Sequence, residues 1–147
     1  MLTVGLCVGK YIHNIYIQQK YPAKHYTEYW DIQFPSKINK TYEKIGTQGF
    51  TGDGSRYSVF SVENKKDVLF TDFSVAPAPN EEFVFIVTEK LHQLQIPEEQ
   101  QPDWTSAYKW KYLGQNQISD ASTRYFDNLY LIWDTSSDTL FVLEICI

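Results

Sequence analysis

The side chains able to do chemistry in this chain are few and scattered. His13, His25 and His92 fall on three separate stretches, so only the tertiary fold could bring them together as metal ligands. Cys7 and Cys146 lie at opposite ends, and Cys146, inside a terminal apolar run, reads as a small buried hydrophobe. Neither cysteine has the cationic, partly open setting that an activated thiol needs. Glu98, Glu99 and Asp103 suggest a paired-carboxylate site, but adjacent acids in a solvated loop have no reason for shifted pKa values. Nucleophile-elbow, zinc-helix, phosphate-loop and Cys-x-x-Cys patterns are absent, so no cofactor or metal is implied.

One segment is dense enough to attract a functional reading: Gly49-Phe50-Thr51-Gly52-Asp53-Gly54-Ser55-Arg56-Tyr57. Its amides could cradle an anion beside Arg56, or Asp53 could hold a calcium ion. Anion loops usually open a helix, and this one precedes a strand. A calcium loop needs several oxygen ligands, and only Asp53 is charged. Asp53-Gly54 is also a turn signal, which favours a hairpin or bulged corner. Asp53 and Arg56 stay as candidate binding residues.

Around this corner the periodicities predict mostly strands. Residues 37–46 alternate Ile38, Lys40, Tyr42 and Lys44 against the other parity, a first strand with a lysine-bearing face. Arg56–Val62 and Val68–Val75 predict an antiparallel hairpin. Asn80, acids at 81 and 82, apolar residues at helical spacing, and Pro97 predict a helix over 80–94, with a buried strand at Phe83–Thr88 as the alternative. Trp104–Leu113 predicts a strand with Tyr108, Trp110 and Tyr112 on one side, followed by a polar loop over Gly114–Thr123. Asn128–Asp134 and Thr139–Ile147 predict the closing hairpin, whose second strand is apolar enough to be central. Pro22 and Pro35 limit any helix between them, and a short turn over Thr27–Ile32 fits there. The sum is α+β: an antiparallel sheet of about five or six strands, one main helix packed on it, and an N-terminal helical stalk.

Composition narrows the classes further. Lys and Arg number 13 against 18 Asp and Glu, a net charge of −5, which argues against a basic nucleic-acid groove. The aromatic share of 16% must first fill a sheet core, yet a few rings on a sheet face are enough for recognition hot spots. Tyr108, Trp110 and Tyr112 are the candidates.

Residues 1–17 are apolar for nine positions and then amphipathic. A helix of nine residues rises only about 14 Å, short of a bilayer core. The segment reads as the surviving end of a membrane anchor, with residues 1–25 an anchor remnant or stalk and 26–147 a single domain. Lys10, Lys20 and Lys24 follow the apolar stretch, against the orientation an outward-facing domain prefers. The competing reading is an amphipathic helix packed on the core.

At Gly49–Tyr57 and at Tyr130–Glu144 the chain resembles small extracytoplasmic proteins of Gram-positive bacteria. These have an N-terminal anchor, a Gly-Phe-x-Gly-Asp-Gly corner entering a strand, and a closing hairpin like Leu131-Ile132-Trp133-Asp134 with Thr139-Leu140-Phe141-Val142-Leu143-Glu144. In size, anchor, acidity and β-rich build it is also similar to the membrane-tethered immunity proteins of the TipC type that accompany LXG-class secreted toxins. The resemblance implies an extracytoplasmic, membrane-anchored, non-enzymatic domain that captures a protein partner, with toxin neutralisation as the specific form. It supplies no catalytic residue. The alternative is a small-molecule or lipid-binding module, with the helix at 80–94 capping an aromatic pocket on the sheet. An enzyme with a dispersed site is the third class.

Overall fold

In the computed structural model, described over residues 22–46, 54–63, 73, 81–118 and 124–146, the chain forms α1 (Lys24–Trp30), β1 (Ile38–Ile45), β2 (Gly54–Val62), α2 (Glu81–Gln93), a 3-10 turn (Glu98–Gln100), β3 (Tyr108–Ile118), β4 (Arg124–Asp134) and β5 (Thr139–Cys146). The strands make one antiparallel sheet in the order β1-β2-β5-β4-β3. The apolar run at the C-terminus takes the middle of it. Every residue of β5 from Leu140 to Ile145 is buried, as a strand flanked by two others and covered on both faces requires.

Its partner β4 comes from the expected hairpin. Asp134 Oδ1 accepts from the amides of Ser136 (2.8 Å) and Ser137 (3.2 Å) and from the Ser136 hydroxyl, and Asp138 closes the turn at a φ of 54°. Helix α2 also follows its sequence signals. Glu81 and Glu82 stand at its positive end and Lys90 and His92 at its negative end, and Phe83, Val87 and Leu91 form its buried stripe. Its C-terminus folds back as a Schellman turn, Ile96 N–H donating to Leu91 O (3.0 Å) and Gln95 N–H to His92 O (2.9 Å). That turn seats the helix end on the β1–β2 corner, where a Cβ at Gly46 would lie 3.0 Å from Leu94 Cδ2.

Several expectations need correction. The sheet is covered by two helices rather than one. Alternate residues of β4 and β5 are apolar on both parities, so each face must be buried. α2 packs on the face of Tyr57, Tyr130 and Leu143, and α1 supplies Tyr26 and Trp30 to the opposite face with Phe60, Leu131 and Val142. The short turn expected at Thr27–Ile32 is thus a helix from Lys24 to Trp30. The N-terminal stalk lies outside the described residues.

Strand β2 has no free edge for the expected Val68–Val75 hairpin. β1 pairs with it from Arg56 to Val62 and β5 from Gly54 to Ser61. Of residues 68–75 only Phe73 is described, and it is buried on the α1 face.

The expected loop at Gly114–Thr123 is strand as far as Ile118, paired down to Arg124 of β4. Edge-strand pairing is carried by backbone hydrogen bonds and needs no apolar alternation. The same strand starts at Tyr108 instead of Trp104, because Asp103 bonds Thr105 N–H (2.9 Å) and Ser106 N–H into a turn first.

The alternation expected in β1 is broken by a bulge. Lys40 faces Phe60 and Tyr42 faces Val59, so Thr41 is an extra residue. Ile38 and Lys40 therefore lie on the α1 face, while Tyr42 and Lys44 lie on the α2 face.

Leu91 is fully buried and Thr88 exposed on the same helix. Leu91→Ala lowers the unfolding free energy by about 2–5 kcal/mol, whereas Thr88→Ala changes it by less than about 0.5 kcal/mol. Urea denaturation of the two variants measures both.

Candidate functional site

On the α1 face, polar side chains of α1 and β2 converge on one buried carboxylate of β5. Glu144 belongs to the central strand, and its side chain is only 4% exposed. A charge in that position has to be matched where it stands. Trp30 Nε1–H donates to its Oε1 at 2.7 Å, and His25 Nε2 lies 2.8 Å from its Oε2. An ionised carboxylate only accepts, so His25 carries its proton on Nε2 in this contact. Arg56 Nε approaches Oε2 at 3.8 Å. Burial alone would raise the Glu144 pKa, but the bonds from His25 and Trp30 and the charge of Arg56 outweigh it and hold the group below the usual carboxylate value.

The cluster extends to both sides. Arg56 also binds Glu43 Oε1 at 3.2 Å, and Lys40 Nζ reaches the same oxygen at 2.9 Å. Ser58, fully buried, donates toward Glu43, and Tyr26 O–H stands 2.8 Å from the Ser58 hydroxyl. On the other side Tyr29 O–H donates to buried Asp127, which also receives the Cys146 thiol. Burial, then the charges of Glu144 and Asp127, push that thiol up to about 12. Cys146, expected as a small buried hydrophobe, is half-buried, and its thiol stays protonated at neutral pH.

A histidine held by a buried carboxylate can serve as a general base when a nucleophile is in reach. Here the nearby hydroxyls are engaged elsewhere, Tyr29 with Asp127 and Ser58 with Glu43. The arrangement's evident work is mechanical. α1 has only seven residues, too few for an isolated helix to persist, and His25, Tyr26, Tyr29 and Trp30 each tie it to a strand. Among the described residues no group of three or more His, Cys, Asp and Glu is placed to hold a metal ion. No helix among them is long and apolar enough to cross a membrane.

The candidate binding residues are divided between the faces. Tyr108, Trp110 and Tyr112 do share a side of β3, the α2 side. Trp110 packs with its ring 4.8 Å from Phe83, and Tyr108 lies 5.5 Å from Trp104, so both serve the core. Tyr112 is 47% exposed, its ring 5.2 Å from Tyr130 and its hydroxyl donating to Asn128 Oδ1 at 2.6 Å. Arg56 sits on the opposite face in the Glu144 cluster, and Asp53 lies outside the described residues.

In the sequence His25 is weighed only as a metal ligand, and Glu43, Asp127 and Glu144 are not singled out as site residues. The available signal was Glu144 itself, a lone charge within an apolar strand, which must have a partner. Nor is Phe85 singled out, which lies on the outer side of α2 and is 64% exposed.

An open cleft of about 970 Å3 lies beside α1, between Ala23, Thr27, Phe34, Pro35 and Ile38, with Lys24, Lys37 and Glu63 on its lining. Compared with family models, curated proteins and solved structures, the chain matches none of them.

Glu144→Gln keeps the shape and removes the charge, turning an amide N–H toward groups that donate. The loss is about 1.5–3 kcal/mol of stability, read from chemical denaturation at neutral pH. The pH dependence follows from the lowered pKa. The unfolded chain binds the Glu144 proton more tightly, so this stabilisation is complete above about pH 4.5 and is lost as pH falls through the native value. Asp134, whose serine bonds outweigh its burial, shifts in the same direction. The difference between wild type and Glu144→Gln therefore narrows on acidification, and a difference that stays constant down to low pH contradicts the assignment.

Proposed function

We propose that this domain works by recognition, holding a protein partner without turning over a substrate. Its specific form is neutralisation of a secreted toxin encoded nearby, and its setting is extracytoplasmic, tethered through the N-terminal segment. The observation that carries the reading is the placement of exposed apolar bulk. Phe85 and Tyr112, at 64% and 47% exposure, are exposed aromatics on the α2 side of the domain; Ile45 and Tyr29 are exposed on the α1 side, where the titratable groups are occupied with one another. Exposed aromatics on rigid elements are the usual anchors of protein interfaces. The net charge of −5 adds steering toward a basic partner. The tether rests on the apolar character of residues 1–17.

A second reading, a small-molecule or lipid module, draws support from the cleft beside α1, whose volume of about 970 Å3 is in the range of ligand sites. The space under α2, where the aromatic pocket was expected, is instead filled by Phe83 against Trp104, Trp110 and Tyr130.

The test uses the full chain as bait against proteins encoded beside it, with affinities taken by calorimetry. Retention of one neighbour at micromolar or tighter affinity, weakened about tenfold by Tyr112→Ala, is the expected result. Retention of none, with saturable uptake of a fluorescent fatty acid, overturns it in favour of the second reading.

A further inference from the structure

Helix α2 turns one bulky ring toward solvent, and the charges around that ring are all of one sign. Phe85 stands one turn after Glu81 and Glu82 and one turn before Glu89, and all four are exposed. Phe83 and Val87, on the opposite side of the same turns, satisfy the core without it. Nothing in the fold of α2 asks for a phenylalanine at 85, since a polar residue at that position would leave the buried stripe unchanged. The surface continues toward β3. Glu82 lies close enough to Tyr130 for its charge to act on the phenol, and Tyr112 packs on the same Tyr130 ring.

We infer that the outer ridge of α2 is the docking element of this domain, and that its occupant is a protein presenting an apolar pocket rimmed by Lys or Arg. The inference rests on the recognition reading above and names the surface and the chemistry of the partner. The acids decide among the possible occupants. A second copy packed through the same ridge would set Glu81, Glu82 and Glu89 against themselves, because a two-fold interface is self-facing. An anionic lipid surface or a nucleic acid would meet the same carboxylates with phosphate. A basic-rimmed pocket accepts the ring and neutralises the rim together, the helix-in-groove mode of peptide recognition.

The experiment places the photo-cross-linker p-benzoylphenylalanine at position 85 of the full chain in its native host, with position 112 and the exposed loop position 105 probed in parallel. The expected result is an adduct at 85 and none at 105, whose mapped contact peptide in another protein carries Lys or Arg beside apolar residues. Its yield falls about tenfold or more when Glu81→Lys, Glu82→Lys and Glu89→Lys are combined. A thermal melt checks that this triple variant stays folded, and should it fail to fold, Glu82→Lys alone serves instead. An adduct at 85 that survives charge reversal, or one formed only with a second copy of this chain, overturns the inference. Adducts at 112 with silence at 85 overturn it while leaving the recognition reading standing. Silence at both positions overturns both.

Discussion

A carboxylate in the central strand of a five-stranded sheet has to find all its partners within the fold, and much of the α1 side of this protein is organised around that requirement. Glu144 cannot reach water, so its oxygens are met by an indole, an imidazole and, at longer range, a guanidinium. Two of these three come from α1, a helix too short to hold itself together. The need therefore runs both ways. The strand requires donors, and the helix requires anchoring points that water cannot displace. Neighbouring pairs extend the arrangement across β1, β2 and β4, so that a network linking residues more than a hundred positions apart fixes one end of the sheet. Such networks are costly when half-satisfied and rigid when complete.

The two faces of the sheet consequently differ in character. The α1 face grades from apolar packing around Phe60 and Leu131 to the charged cluster at Glu144. The α2 face is mainly apolar and aromatic, closed by Phe83, Val87 and Leu91, and it leaves acids and one ring on the outer side of the helix. The chemistry-bearing residues thus brace the α1 side of the fold, while Phe85 and Tyr112 stand exposed on the α2 side. Around His25 the Tyr29 hydroxyl donates to Asp127, and the Tyr26 hydroxyl is paired with that of Ser58, which in turn reaches Glu43.

Elements whose signals are local were legible in the sequence. The β4–β5 hairpin is written in Asp134 and its serines, α2 in its acidic start and its apolar stripe, and the central place of β5 in its unbroken hydrophobicity. What escaped depends on tertiary pairing. The Thr41 bulge is invisible without the opposite strand, and the polar end of β3 carries no alternation to detect. The preference for pairing β2 with residues downstream failed because its edges were already claimed by β1 before it and β5 at the far end of the chain. α1 was hidden by its prolines and by its dependence on Glu144. The candidate residues fared similarly. Tyr108, Trp110 and Tyr112 were placed on one side correctly, but which of them is covered depends on where α2 lies. Arg56 was singled out for an anion, whereas its charge is used on Glu43 and Glu144.

The tie between α1 and the central strand holds the α1 side of the domain together, and the indole proton of Trp30 reports on it directly. Its exchange with solvent, followed by NMR at neutral pH, should be as slow as that of the β5 amides, because reaching that proton requires lifting the helix from the sheet. Exchange at the rate of a solvent-exposed indole, with the β5 amides still protected, would mean that α1 is not held by Glu144.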